Sequence, residues 1–362
     1  MLPDDSKKVS PYFAFFLIHK IQIGVGILGF ERYIAQSAGH DAWVAIIIAG
    51  LSINVIIWFC FRILMKGKND IIGIQKELFG KWMGGMFSFY FVIYFFCFVV
   101  TLVRTYVEVI QVWMFPHMYT WVLSSFLLIL GYCYVSGGFR TVTGICFLGI
   151  IYTFPSLLLK IFPLTESHIS NLRPLFDHPF SSYLTAAKAM ALEYLGFETL
   201  LMYYPFLKTP EKAIKWAHFG NLFSILIYLL TAITTFLYYN EEELARTIWA
   251  TLTLWKIVDF PFMERFEYAG IALWLFAVLP NICLALWATS RGMKQLFHFN
   301  QRYSLICIII AAAFACSFIE GRPNIDWLNT ITSTAGFYTV YFYIPALFVV
   351  QWIIYKVRKK KS

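Results

Sequence analysis

The chain has 362 residues, 60% of them hydrophobic, 20% aromatic and only 14% charged. Soluble domains run nearer half apolar and one quarter charged, and mean hydropathy here is +0.68, so the composition is that of an integral membrane protein with little length left for a separate enzyme module. The net charge of +9 sits in loops on one side of the apolar segments and forms no basic stripe, which argues against nucleic acid and for a lipid bilayer as the partner of the basic groups.

A helix that spans a bilayer takes about 20 apolar residues. Ten such segments are expected, near 11–36, 42–65, 83–112, 120–136, 142–163, 184–207, 217–239, 267–290, 303–319 and 327–355. The first is too long for a signal peptide and too poor in a small-residue cleavage site, so it is expected to remain as helix 1. It is broken by Gly24-Val25-Gly26-Ile27-Leu28-Gly29. Glycine weakens a helix interior, and a bilayer core supplies no water to the freed backbone groups. The sixth segment repeats the interruption at Glu193-Tyr194-Leu195-Gly196-Phe197-Glu198.

Matching breaks in two five-helix halves are the mark of inverted repeats, with a binding site at the breaks. The expected organisation is a cytoplasmic leader at 1–10 and a first repeat at 11–163. An extracytoplasmic loop at 164–183, a second repeat at 184–355 and a basic cytoplasmic tail at 356–362 follow. The 240–266 connection opens with Asn240-Glu241-Glu242-Glu243, an N-cap followed by acids, and predicts a short helix lying on the outer surface, able to act as a lid. Loops on the side of the two termini carry Lys66, Lys68, Lys76, Lys208, Lys212, Lys215, Arg291, Lys294 and the tail Lys356-Val357-Arg358-Lys359-Lys360-Lys361, whereas the opposite loops carry Arg173, Arg246, Lys256, Arg265 and Arg322. This positive-inside bias predicts both termini in the cytoplasm, with the tail against anionic headgroups.

Candidate ligand-binding residues follow from the breaks: Gly24, Gly26 and Gly29 through their backbone, with Gly196, Phe197 and Glu198 from helix 6. A half-helix N-terminus favours a carboxylate, and free carbonyls favour an ammonium group or a cation. An amino acid offers both charges. Close helix packing through small residues is the plainer explanation of the glycines. Glu193 and Glu198 flank Gly196, and intramembrane carboxylates face a cavity, a partner or a proton path. Arg32 is an expected partner of Glu193. Arg104 and Glu108 stand four apart in helix 3, in position to pair, and complete the gate or coupling candidates. Lys20 is a candidate coupling amine, Lys160 is expected to snorkel outward before Pro163, and Asn281 and Thr289 add polar groups to helix 8.

The seven cysteines fall inside apolar segments without a Cys-x-x-Cys, and the seven histidines lack ligand spacing, so neither a metal nor another cofactor is expected. No phosphate-cradling loop, His-Glu-x-x-His or Gly-x-Ser-x-Gly occurs, which argues against catalysis.

Taken together, Gly24-Val25-Gly26-Ile27-Leu28, Asn171-Leu172-Arg173-Pro174, Leu195-Gly196-Phe197-Glu198 with Pro205, Trp249, Trp255, Glu264-Arg265-Phe266-Glu267 and Gly292-Met293-Lys294 resemble, in order and spacing, the B subunits of bacterial spore germinant receptors (the GerAB type). That family lies within the amino acid–polyamine–organocation transporter superfamily. The resemblance spans nearly the whole chain. It implies a ten-helix, LeuT-like fold in the spore inner membrane and a complex with A and C subunits. It further implies a small-molecule germinant, commonly an amino acid, whose binding between helices 1, 3, 6 and 8 triggers germination. Where family members often have Leu-Pro-Arg after the first break, this chain has Phe30-Glu31-Arg32. Two other functions fit the same residues: a secondary transporter of amino acids coupled to H+ or Na+, and a structural membrane subunit that binds nothing.

Overall fold

The computed structural model describes residues 3–261 and 263–361. Met1 and Leu2 of the leader, Phe262 and Ser362 lie outside the described residues, as do the side chains of residues 359–361 in the tail. The described chain is helical, with no β-strand beyond isolated bridges such as Val9 with Leu207.

Ten spans follow in order. α1 is divided into α1a (Phe13–Gln22) and α1b (Phe30–Ala38), and α2 is Trp43–Gly67. α3 (Ile71–Trp113) carries a non-helical Gly80 with φ 77°, which separates a short arm from the span proper. α4 is Thr120–Ser136, and α5 (Phe139–Thr153) runs on through a 3-10 segment, Phe154–Lys160. α6 divides into α6a (Phe180–Glu193) and a compact α6b built from the turns Phe197–Thr199, Leu200–Tyr203 and Tyr204–Phe206. α7 (Pro210–Tyr238), α8 (Phe266–Phe297) and α9 (Gln301–Phe318) are continuous. α10 begins at Arg322–Tyr338, passes a π-turn at Thr339–Tyr343 and ends as Ile344–Lys361. Among the described residues, seven helical stretches are long and apolar enough to cross a membrane, one of them α1b running on into α2, and α1a and α4 are shorter apolar helices. α6 escapes that length test because neither of its halves reaches the residue count a bilayer requires.

The packing exchanges the two halves of the chain. α1a lies on α7 as α6a lies on α2, and α5 lies on α8 as α10 lies on α3. α3 and α8 pack on each other, as do α4 and α9. Swapping α1–α5 for α6–α10 therefore maps the contact pattern onto itself, the geometry of a five-plus-five repeat. Exposed Leu51, Val55, Phe126, Ile129, Phe314 and Phe318 cover the outside of α2, α4 and α9. In water these would form an unusually large apolar patch; against lipid chains they are in their proper solvent.

Two expectations are corrected here. α7 begins at Pro210, about two turns before the expected start, because Pro at the first helical position is pre-organised for it. The α7–α8 connection does hold a helix capped by Asn240, whose Oδ1 accepts from Glu243 N at 2.8 Å. Its second helix, Ala250–Leu254, is buried and not on the surface: Ala250, Thr251, Leu252 and Leu254 are all inside. It packs on the turn Gly26–Leu28.

α1a and α7 approach to backbone contact at Gly220, where a Cβ would stand 2.6 Å from the Phe15 carbonyl oxygen and 3.1 Å from Phe15 Cα. Gly220→Val is expected to destabilise the bundle by roughly 1–3 kcal/mol through overpacking. A lowered unfolding temperature in detergent checks this, with Gly144→Ala, whose site has nothing within 4 Å, as the unchanged control.

Candidate functional site

Ending α1a at Gln22 and α6a at Glu193 leaves backbone carbonyls without helical partners in the middle of the bundle, where each unmet group costs several kcal/mol. Side chains of α7 and α8 meet them. Tyr228 Oη lies 2.7 Å from the Gln22 carbonyl oxygen and 3.2 Å from that of Glu193, so one hydroxyl serves the C-terminal ends of both half-helices. Trp274 Nε1 donates to Gly24 O at 3.1 Å, and Asn281 Nδ2 donates to Ile23 O at 3.3 Å. At the second break Gly196 takes φ 102°, a left-handed conformation that side-chain-bearing residues rarely adopt.

Each glycine of the first break makes room for a different neighbour. A Cβ on Gly24 would stand 2.7 Å from Asn281 Nδ2, one on Gly26 would overlap the Glu193 carboxylate, and one on Gly29 would meet the backbone at Ile248 and Trp249. The result is a cavity of about 650 Å³ between α1, α3, α6a, α8, α10 and the α7–α8 connection. That is the size range of small-molecule sites. Gly24, Gly26, Gly29, Arg32 and Glu193 all line it. α8 contributes Asn281, and α3 contributes Thr101 and Thr105.

The other sequence candidates fall elsewhere. Gly196, Phe197 and Glu198 are buried behind the cavity and do not line it. Glu198 is fully enclosed: Tyr94 Oη donates to its Oε1, and Gly196 N donates to its Oε2 at 2.9 Å. It fixes the second break in place. Arg32 and Glu193 share the cavity, but no ion pair joins them. The anticipated Arg104–Glu108 pair is corrected as well. Arg104 Nε instead donates to Ile319 O, and Glu108 Oε2 lies 2.9 Å from Arg322 Nη1.

Arg322, at the start of α10, also lines the cavity. Besides Glu108 it reaches the Asp326 carboxylate at 3.1 Å and Tyr33 Oη at 3.2 Å, and its guanidinium lies over the Trp249 ring at 5.5 Å. It thereby joins α10 to α3, α1b and the α7–α8 connection. The polar face of α10 escaped the sequence reading, although Arg322, Asp326, Asn329, Thr330 and Ser333 recur at helical spacing in an otherwise apolar stretch. That period was the available signal.

Two lysines are also placed. Lys20 is buried against Gly149 of α5, and its Nζ has no hydrogen-bond partner. Lys160 does not snorkel away from the bundle. Phe154, Leu157 and Lys160 eclipse one another in the 3-10 segment, as a three-residue period requires. All three line a second, small cavity of about 40 Å³ with His19 and Thr251. Thr289 bonds its own helix at Ala285 O. Glu31 lies in the first turn of α1b, where the helix dipole favours an acid. Its Oε1 accepts from Thr235 of α7 at 3.0 Å and from Thr251, which ties the inner helix of the α7–α8 connection to α1b.

An all-helical inverted repeat with a cavity at two broken spans is the LeuT-like architecture of secondary transporters. Solved structures agree. The chain aligns over 93% of its length, and over 80% of the other chain, with a Na+-coupled sialic acid symporter captured substrate-bound and outward-open, at a TM-score of 0.67 and 12% identity. MhsT in complex with L-phenylalanine aligns over 93% of this chain and 87% of its own, at a TM-score of 0.60 and 14% identity. Within that architecture, residues 8–325 match the family described as spore germination protein, and the chain belongs to that family. It is 42% identical to the spore germination protein GerQB of Bacillus cereus over 97% of this chain and 98% of that protein. It is 21% identical to spore germination protein B2 of Bacillus subtilis (strain 168), over 95% and 94%.

Tyr228→Phe keeps the ring and removes the one hydroxyl shared by the two half-helix ends. Leaving buried carbonyls unmet is expected to cost about 1–3 kcal/mol, read as a lower unfolding temperature of the purified protein with the helix content unchanged.

Proposed function

We propose that this protein is the B-type membrane subunit of a spore germinant receptor, binding a small zwitterionic nutrient of the amino acid class at the helix 1/helix 6 breaks. The observation that carries this reading is the pairing, in one cavity, of opposite charges with freed backbone. Glu193 presents a carboxylate over Gly26, and Arg32 presents a guanidinium from α1b. An ammonium group suits the carboxylate and the carbonyl ends of α1a and α6a. A carboxylate suits Arg32 and the N-terminal end of α1b. Thr101, Thr105 and Asn281 then fix orientation, and Leu102 and Leu195 leave an apolar wall for a side chain. Glu198 acts by holding the break, and Phe197 by filling the core behind it.

In this reading the subunit works in the spore inner membrane with both termini cytoplasmic, in complex with A and C subunits. Ligand binding drives a switch only through unequal affinity for two arrangements of the bundle. The Arg322 knot is suited to that role, since it ties together four elements that line the cavity. A transporter reading rests on the likeness to a coupled symporter and predicts steady uptake where a sensor shows binding alone.

Purified protein in nanodiscs is expected to bind one or more members of an amino acid panel saturably. Gly26→Leu, which places a side chain where Glu193 sits, should abolish binding and the germination response while the protein remains inserted. Glu193→Gln should weaken binding roughly 10–100-fold, the worth of a charge-assisted hydrogen bond. Wild-type affinity in Gly26→Leu refutes the site, and uptake of the bound compound by reconstituted vesicles favours transport.

A further inference from the structure

The corner between α1b and α2 brings together acids and histidines that lie far apart in the sequence. Gly39 takes φ 52°, and its missing side chain leaves room for two neighbours: a Cβ there would touch the Glu241 carboxylate and stand 3.0 Å from His178 Cε1. Next to it, Asp41 is 2% exposed. Asp41 Oδ2 accepts from Phe176 N at 2.6 Å and from Tyr183 Oη at 3.1 Å, so the side chain is fixed and faces the segment leading into α6a. Asp177 and His178 belong to that segment. Asp41, Asp177 and His178 each offer a ligand atom, and the three atoms lie within 4.8 Å of one another.

Two features mark this as more than an acidic cluster. Asp41 Oδ1 is a buried oxygen with no hydrogen-bond partner, and His178 Nδ1 is a buried nitrogen that faces Asp177 Oδ1 at 2.7 Å outside hydrogen-bond alignment. Asp41 uses one oxygen as a structural acceptor and keeps the other free. Among the described residues no lysine or arginine pairs with either aspartate; the one ionic partner of Asp177 is His178. Two carboxylates this close, one of them buried, call for a positive charge between them. An imidazole nitrogen and two carboxylate oxygens at such separations suit a divalent transition ion, and the oxygen-rich set suits Mn2+ or Zn2+.

The geometry points to a divalent-cation site at Asp41, Asp177 and His178. Access is open, since the Asp177 side chain is 47% exposed and that of His178 31%. The ion would join the α1b–α2 corner to the segment entering α6a. Both α1b and α6a wall the main cavity, so occupancy would brace its outer end. The proposal stands on these residues alone and does not depend on what the cavity binds.

The test uses the full chain in nanodiscs, stripped with EDTA and titrated separately with MnCl2 and ZnCl2. Retained metal is counted by elemental mass spectrometry, and Mn2+ binding is followed by its paramagnetic resonance signal. About one ion per chain and a rise in unfolding temperature on saturation are expected. Asp177→Asn and His178→Ala should each weaken binding at least tenfold. These two partly exposed positions keep the test decisive, because Asp41→Asn also disturbs the bonds to Phe176 and Tyr183. Absence of saturable retention in the wild type, with a proton on His178 serving as the only counter-charge, overturns the proposal. So does equal retention by the wild type and both variants, which would put the ion elsewhere.

Discussion

Backbone polar groups freed inside a bilayer must be met by protein, and the arrangement of this molecule follows from how that demand is satisfied at two places. Tyr228 serves the ends of α1a and α6a with one hydroxyl, Trp274 and Asn281 serve Gly24 and Ile23, and Glu198 accepts from Gly196 N. These partners come from α7, α8 and α6 itself, so the first break is held by residues of the second half of the chain. The same bonds that make the broken backbone tolerable hold its remaining polar surface open toward one cavity. Stability and site geometry therefore share residues, and a lesion in one is felt in the other.

The two glutamates beside Gly196 divide the work. Glu198 is enclosed, with both oxygens accepting hydrogen bonds, so its carboxyl group is a fixed part of the fold. Glu193 looks into the cavity over Gly26, where a ligand can supply what the protein does not. Glu31 adds a third buried acid that belongs to neither class. Its bonds to Thr235 and Thr251 fasten the inner helix of the α7–α8 connection to the start of α1b. Through this side-chain tether the connection becomes a wall of the bundle.

One arginine that lines the cavity ties four elements together. Arg322 binds Glu108, Asp326 and Tyr33 and covers Trp249. Surface ion pairs are individually weak, but a network that spans four elements is coupled, and coupled contacts tend to change together. Arg32 of α1b and Glu193 of α6a thus lie in the cavity on elements that this network and the α1b–α2 corner restrain.

Composition and period determined much of this protein by themselves. Sixty per cent apolar residues dictate a membrane bundle, and the paired glycine breaks dictate an inverted repeat with its cavity at Gly24, Gly26 and Gly29. These are legible because backbone strain and hydrophobic length are local properties of a segment. What the segments could not tell was partnership. Arg104 and Glu108 are neighbours on one helix, yet Glu108 is claimed by Arg322 from α10. Glu198 looked like a ligand residue until Tyr94 closed over it. Lys160 turned inward because a 3-10 segment shifts the face of α5, and beyond the exposed Asn240-capped helix a second helix is drawn inside, where Thr251 meets Glu31. Asp41 and His178 carry no ligand spacing, since only the fold brings the α1b–α2 corner to the segment before α6a. Which residues can line a cavity follows from the sequence period; which charge faces which is decided when distant helices pack, because electrostatic partnership depends on distance in space and not along the chain.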